Sequence, residues 1–199
     1  MDPIPEWHIV IMGFLQTTGA VNGMVNVWRQ ILQTTRGTDA QVELRSWNCN
    51  LADLAELISR ISVADRPPRI VVYGYSWGGM SAALFARHLR RRGLAIDRLV
   101  LCDAVYRHWY PFGWWRAFAP WRAIKIPDNV RRVTQFRQRQ SWPRGHTILA
   151  DNPGKTIIEH VRWLQTDHCW MDDHGDFHLA CIEAAKGFEC DPSNSGSSA

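Results

Sequence analysis

Short apolar runs typical of buried strands alternate with helical segments along most of this chain. The runs are rich in β-branched residues and lie at residues 7–12, 70–73, 99–102 and 130–136, with a less regular edge strand at 41–47. Apolar side chains recur at helical spacing in residues 24–33, 51–62, 81–92, 156–164 and 173–186. Strands and helices in this order favour a mainly parallel sheet covered by helices on both faces. We therefore predict a three-layer α/β fold.

Length and composition are typical of a single domain. The chain has 199 residues, of which 46% are hydrophobic, enough for one sizeable core. We assign residues 1–190 to this domain and predict that the polar residues 191–199 form a disordered tail. No apolar run approaches the roughly 20 residues that span a bilayer.

The N-terminal residues and the cysteines bear on the compartment. Residues 1–6 are acidic and contain two prolines, without the basic region of a signal peptide, so secretion by that route is not expected. The five cysteines are odd in number and show no zinc-like spacing. These features predict reduced thiols and a cytoplasmic protein.

The basic excess is small and consists mostly of arginine. The net charge is +4, from 23 Lys and Arg against 19 Asp and Glu. Arginine runs at 90–92 and 131–132 are more typical of solvated faces than of nucleic-acid contacts. We therefore expect no nucleic-acid partner. If nucleic acid did bind to these arginines, its affinity would fall steeply as the salt concentration rises.

The segment Gly74-Tyr75-Ser76-Trp77-Gly78 follows a predicted buried strand and opens a predicted helix. A serine at such a sharp turn has strained dihedrals, and a Cβ at Gly74 or Gly78 would collide with the neighbouring strand and helix. The Trp77 N–H, at the start of the helix, can point at a developing oxyanion. The alternative is a glycine-rich turn with a chance serine; the strand before and the helix after favour the nucleophile elbow.

On this segment, on residues 99–105 and on residues 167–173, the chain resembles the α/β-hydrolase superfamily. The resemblance covers about residues 7–187 and is strongest to the short, lid-poor, lipase-like members of bacteria and phages. It implies an esterase, lipase or thioesterase with a serine nucleophile and no cofactor. The implied partner is a small-molecule or lipid acyl ester.

A serine nucleophile needs a base and an acid that orients the base. The family's chain order is serine, acid, histidine, and His168 lies in a polar loop before the last predicted helix, where the family places its base. Asp103 directly follows the strand at 99–102 and is the preferred acid. Many members carry the acid one strand later, which makes Asp151 the alternative candidate for the acid. Asp103 could instead have a structural role as the N-cap of a helix.

The second oxyanion donor should come from the loop after the first strand. Phe14 and Leu15 follow Gly13 at that place, and there is no His-Gly-Gly-Gly signature. The expected donor is therefore the backbone N–H of Phe14 or Leu15.

Histidines and aspartates crowd residues 168–178, yet no zinc-binding motif is present. We expect no metal there. Asp172 or Asp173 is interpreted as the N-cap of the last helix, with His174 and His178 inside that helix. Cys169 is interpreted as a small packing residue.

An aromatic-rich insertion at residues 106–126 leaves the sheet directly after Asp103. The predicted substrate-binding residues are Tyr75 and three tryptophans of this insertion, Trp109, Trp114 and Trp115. They are expected to form one wall of an acyl site. Peripheral membrane contact through the same tryptophans, with arginines beside them, is a second interpretation, and an ordinary packed helical insertion is a third.

The sequence thus predicts a serine hydrolase that cleaves carboxylic esters or thioesters through an acyl-enzyme. Acyl transfer to another acceptor needs the same residues and stays an alternative. A non-catalytic interaction module on the same fold is the other alternative, because fold does not fix function.

Overall fold

The computed structural model describes residues 5–62, 67–107 and 122–187. Trp109, Trp114 and Trp115, and the tail at 191–199, lie outside the described residues. The described helices are α1 (Gly23–Thr34), α2 (Leu51–Ile61), α3 (Trp77–Arg90) and α4 (Gly175–Lys186). The strands are β1 (Glu6–Ile11), β2 (Gln41–Arg45), β3 (Arg69–Tyr75), β4 (Ile96–Cys102), β5 (Ala123–Ile126), β6 (Val130–Gln138), β7 (Thr147–Ala150), β8 (Ile157–Ile158) and β9 (Arg162–Leu164). Among these residues, no helix combines the length and apolarity needed to cross a membrane.

Seven of these strands form one parallel sheet. Its order is β2-β1-β3-β4-β6-β8, and β9 pairs with β6 beyond β8. From β1 the chain moves to β2 on one side, whereas from β3 it moves to β4 on the other. The connections after β1 and β3 therefore diverge and leave a crevice beyond the carboxyl ends of these two strands, the usual position of a ligand site in such sheets.

Helices cover both faces of the sheet, each over its own hydrophobic core. Helices α2 and α3 pack on one face, through side chains such as Leu54, Ile58 and Phe85. Helices α1 and α4 pack on the other, through side chains such as Ile31 and Phe177. The predicted three-layer α/β fold is confirmed.

Most predicted elements are present, with different ends. Asn50 caps α2 as its carbonyl oxygen Oδ1 accepts from the Ala52 N–H at 3.2 Å, and β2 is the half-buried edge strand that the sequence predicts. Helix α3 begins at Trp77, where the predicted elbow places its start and four residues before the apolar periodicity at 81–92; its glycines pack closely on the sheet.

Two predictions for the C-terminal third are wrong. Residues 156–164 form the short strands β8 and β9 instead of a helix, since both pair with the otherwise open edge of β6. The last helix is capped by His174, whose Nδ1 accepts from the Asp176 N–H at 3.2 Å. Asp172 and Asp173 instead end a 3₁₀ helix, His168–Asp173.

The end of the aromatic insertion belongs to a second, smaller sheet. Strand β5 pairs in parallel with β7, and Ile124 and Ile126 are buried in the core under α3. This sheet is not predicted from the sequence, because each of its strands has only four residues, too few for a clear pattern.

Close packing of α3 on β1 leads to a prediction on stability. A Cβ at Gly78 would lie 2.4 Å from the Ile11 carbonyl oxygen and 2.6 Å from that of Met12. We expect Gly78→Ala to lower the free energy of unfolding by about 2 kcal/mol or more, since backbone must move. Gly19→Ala is the matched control, because nothing lies within 4 Å of its added Cβ. Equal stability of the two variants in urea titrations would contradict this packing.

Candidate active site

Ser76 lies at the turn between β3 and α3, beside the crevice. Its φ of 53° and ψ of −122° are rare for a residue with a side chain. The Ser76 N–H donates to the Cys102 carbonyl at 3.0 Å, and the Ser76 carbonyl accepts from the Val105 N–H at 2.9 Å. A Cβ at Gly74 would lie 2.9 Å from the Gly78 carbonyl oxygen. The predicted strand–turn–helix context of the serine is therefore present, with the close approaches that need glycine.

His168 contacts the serine hydroxyl. Its Nε2 lies 2.9 Å from Ser76 Oγ, although the two residues are 92 positions apart. The histidine backbone is held on both sides: its N–H donates to Ser141 Oγ at 2.7 Å, and its carbonyl accepts from the Tyr75 hydroxyl at 2.7 Å. The Tyr75 ring also stacks on the imidazole, with centroids 5.3 Å apart. Tyr75 thus fixes His168 as well as facing the cleft.

Asp103 holds the other nitrogen of this imidazole. Its Oδ2 lies 2.6 Å from His168 Nδ1, and the residue is fully buried. The carboxylate also accepts from the Gly145 N–H at 2.9 Å and from Gln138 Nε2 at 3.0 Å. Because a carboxylate only accepts, His168 Nδ1 carries the proton and Nε2 is free to accept one from Ser76.

The alternative acid named from the sequence lies elsewhere. Asp151 is exposed at the end of β7, on the smaller sheet, and its N–H donates to the Ile126 carbonyl. Residues 104–107 form no helix, so Asp103 is not an N-cap. His146 is buried and accepts from the Tyr106 N–H at 3.0 Å. The structure brings Asp103, not Asp151, to His168.

A cleft of about 740 Å³ opens above Ser76 and His168. Most of its wall is apolar or aromatic; the lining residues are Phe14, Leu15, Gln16, Tyr75, Ser76, Trp77, Trp142, Pro143, His168 and Cys169. Phe14 packs against Trp77 at a centroid distance of 4.3 Å, and Trp47 supports Trp77 from behind at 4.9 Å. Cys169 is exposed in this wall, so its interpretation as a packing residue is wrong.

The candidate oxyanion donors lie at one end of this cleft. Trp77 is the first residue of α3, where the N–H has no acceptor within its helix. Phe14 and Leu15 lie on the loop after β1, with Leu15 at a φ of 65°. This loop approaches the elbow so closely that a Cβ on Gly13 would lie 3.1 Å from Ser76 Cβ. The N–H groups named from the sequence are therefore neighbours of the serine.

Several residues of the site carry no motif and were missed in the sequence. Gln138, at the end of β6, bonds both Asp103 and the Ser141 backbone, whose N–H donates to Gln138 Oε1 at 2.9 Å. Gln16 and Trp142 line the cleft from two different loops. The one available signal for Gln138 is its position at the carboxyl end of a core strand, where only a carboxylate was expected to take part in the site.

The histidines of the last helix have local partners. His178 Nδ1 lies 3.0 Å from Gln30 Oε1, and its Nε2 donates to the Asp172 carbonyl at 2.6 Å. Within residues 5–62, 67–107 and 122–187, no three or more His, Cys, Asp or Glu side chains are arranged to hold a metal ion.

The family of this chain follows from sequence comparison. The chain belongs to the alpha/beta hydrolase family, whose sequence model matches residues 26–184. No curated protein sequence matches the chain.

Two solved structures are similar over nearly the whole chain. The Vlm2 thioesterase domain has 13% sequence identity and a TM-score of 0.43, with 92% of this chain and 93% of that one covered. Human thioesterase 2 has 12% identity and a TM-score of 0.41, with 94% and 100% covered. At such values the likeness concerns general chain architecture.

Proposed function

We propose that this protein is a serine hydrolase that cleaves carboxylic ester or thioester bonds through an acyl-enzyme. One observation carries the proposal: Ser76 Oγ, His168 and Asp103 form a continuous hydrogen-bonded chain, with distances of 2.9 and 2.6 Å, at the floor of an apolar cleft. Such a chain activates a hydroxyl that is otherwise a weak nucleophile.

In the first half-reaction, Ser76 Oγ attacks the acyl carbonyl carbon while His168 Nε2 takes the hydroxyl proton. The imidazolium that forms is stabilised by the Asp103 carboxylate, which three further donors hold in place: the Gly145 N–H, the Gln138 N–H and Gln138 Nε2. His168 then gives its proton to the leaving alcohol or thiol as the carbon–oxygen or carbon–sulfur bond breaks.

In the second half-reaction, water replaces the leaving group. His168 takes a proton from the water, which attacks the acyl-enzyme, and the proton returns to Ser76 as the acid leaves. In both halves the negative charge on the carbonyl oxygen is stabilised by the Trp77 N–H and by a Phe14 or Leu15 N–H.

The cleft favours an apolar acyl group, from a small-molecule or lipid ester. Phe14, Leu15 and Trp142 expose large apolar surfaces beside the serine, and Trp77 closes the wall. The tryptophans at 109, 114 and 115 remain proposed as an additional wall or a peripheral membrane contact. A cytoplasmic location is also proposed, and cell fractionation tests it.

A fluorophosphonate probe tests the proposal directly. Covalent labelling of wild-type protein at Ser76, found by peptide mass spectrometry, supports a serine enzyme, and folded protein that stays unlabelled supports a non-catalytic module. A panel of p-nitrophenyl esters and acyl-CoA thioesters then defines the bond that is cleaved. A product in which the acyl group is found on an added alcohol or amine, instead of in free acid, would identify an acyltransferase.

The apolar cleft predicts selectivity by acyl-chain length. Each methylene buried contributes about 0.8 kcal/mol, or about fourfold in kcat/KM, so kcat/KM should rise along a C2 to C12 ester series until the cleft is full. Trp142→Ala should flatten this rise and leave acetyl esters nearly unchanged, because they reach only the catalytic residues. The same series with Trp114 and Trp115 changed to Ala tests whether the insertion adds a second wall.

The matched control is Trp163→Ala, which removes an exposed tryptophan of β9 that does not line the cleft. It should leave the chain-length profile unchanged. If any of these variants lowers kcat/KM equally for every ester together with the melting temperature, its tryptophan is structural and does not bind the acyl chain.

A further inference from the structure

One side chain closes the loop after β1 on itself. The Gln16 N–H donates to the Gly13 carbonyl at 3.3 Å, and the Gly13 N–H donates back to Gln16 Oε1 at 2.8 Å. Between these two bonds lie Phe14 and Leu15, the residues whose N–H groups the proposed reaction uses. Gln16 therefore determines where those groups point.

The other end of the Gln16 amide is held by a buried carboxylate. Gln16 Nε2 donates to Asp172 Oδ2 at 2.7 Å, and Asp172 is only 1% exposed. The same oxygen accepts the Met24 N–H at 3.1 Å, in the first turn of α1, where the helix dipole favours a negative charge. The helix approaches so closely that a Cβ on Gly23 would lie 2.3 Å from the Asp172 backbone. Asp172 is thus a fixed anchor for the Gln16 amide.

This anchor lies on the segment that carries the proposed base. Asp172 belongs to the 3₁₀ helix His168–Asp173, and its carbonyl is held by His178 Nε2 at 2.6 Å. Asp172 is not itself among the residues that line the cleft. Its bond to Gln16 therefore connects the oxyanion loop to the His168 segment.

We infer that Gln16 and Asp172 are positioning residues, which hold the Phe14 and Leu15 N–H groups in register with Ser76 and His168. The inference rests on the proposed function and adds to it the means by which the second oxyanion donor is aligned. Loss of an oxyanion donor costs about 10² to 10³ in kcat, so a donor that is present but misplaced should cost about 10- to 100-fold.

The first test replaces Gln16 by methionine, whose side chain has similar length but cannot make the bonds to the Gly13 N–H and to Asp172 Oδ2. We expect kcat to fall about 10- to 100-fold with KM within about threefold, because oxyanion bonds strengthen in the transition state. Gln135→Met is the matched control: Gln135 is buried, and its Nε2 donates to the Glu159 carbonyl at 3.1 Å, away from the cleft. It should lower the melting temperature and leave kcat unchanged.

The second test uses a pH profile that a merely structural role would not change. In Gln16→Glu, one proton shared by Glu and Asp172 can replace the amide N–H, and the glutamate still accepts from the Gly13 N–H. Burial already raises the pKa of Asp172, and a second carboxyl beside it raises the pKa of the pair further. As pH rises the shared proton is lost, the two carboxylates repel each other, and the loop is released.

Relative to the wild type, Gln16→Glu should therefore lose activity progressively as pH rises, because the released loop no longer aligns the oxyanion donors. The other ionisable groups that face Asp172 are common to both proteins and cannot cause the difference; they are Asp173, His178, Tyr75 and Cys102.

If the wild type is active, either of two results would overturn this inference alone. In the first, Gln16→Met keeps kcat within twofold of the wild-type value. In the second, the pH profile of Gln16→Glu is parallel to that of the wild type. The same holds if Gln16→Met and Gln135→Met lose kcat equally. A wild type that cleaves no ester and leaves Ser76 unlabelled would instead overturn the proposed function.

Discussion

Ser76→Ala is expected to reduce ester turnover by about 10⁴-fold or more, because no other group replaces the attacking oxygen. The fold should be unaffected. The Ser76 backbone makes the hydrogen bonds of the turn, and its hydroxyl bonds only His168 among the described residues. The measurements are kcat/KM on the best ester of the panel and the melting temperature.

Ser81→Ala is the matched control, one turn further along α3. Ser81 is buried, and its Oγ donates to the Trp47 carbonyl at 2.5 Å, so this variant should lose about 1 kcal/mol of stability and keep its turnover. Turnover that survives in Ser76→Ala would mean that the serine is not the nucleophile.

Asp103→Asn is expected to lower kcat by about 10³- to 10⁴-fold. The backbone N–H groups of Gly145 and Gln138, which donate to Oδ1, would bind the amide oxygen, and this turns the amide NH₂ towards His168 Nδ1. Nδ1 must then accept, Nε2 carries the proton, and the imidazole can no longer take the proton of Ser76. The loss should appear in kcat more than in KM, since Asp103 does not line the cleft.

Asp151→Asn is the comparison that separates the two acids named from the sequence. Asp151 is exposed on the smaller sheet, so its variant should keep kcat within about twofold. A large loss in Asp151→Asn together with a small one in Asp103→Asn would place the acid one strand later.

The type and order of the core elements could be predicted from the sequence because their causes are local. Runs such as Ile70-Val71-Val72-Tyr73 favour buried strands, and the glycine at 74 is demanded by backbone atoms of Gly78 and Gly79, only a few residues away. The candidate nucleophile and the loop with the candidate oxyanion donors could be named for the same reason, since each directly follows a strand.

Where a segment's state depends on a distant partner, local pattern was a poor guide. Residues 156–164 have apolar side chains at helical spacing, yet the open edge of β6 pairs with Ile157 and Ile158. Likewise residues 168–173 fold as a 3₁₀ helix, and the Asp172 carboxylate on it bonds Gln16 and the first turn of α1, which lie far away in the sequence.

The sequence by itself determined an α/β sheet with a serine at a strained turn, and it limited the acid to two aspartates. Only the tertiary structure places one of them, Asp103, beside His168, because the two are 65 residues apart and meet where the carboxyl ends of parallel strands converge. It also decided the supporting amides, Gln138 and Gln16. A glutamine has no spacing rule of its own, and its role follows from which buried donors and acceptors the fold brings within reach.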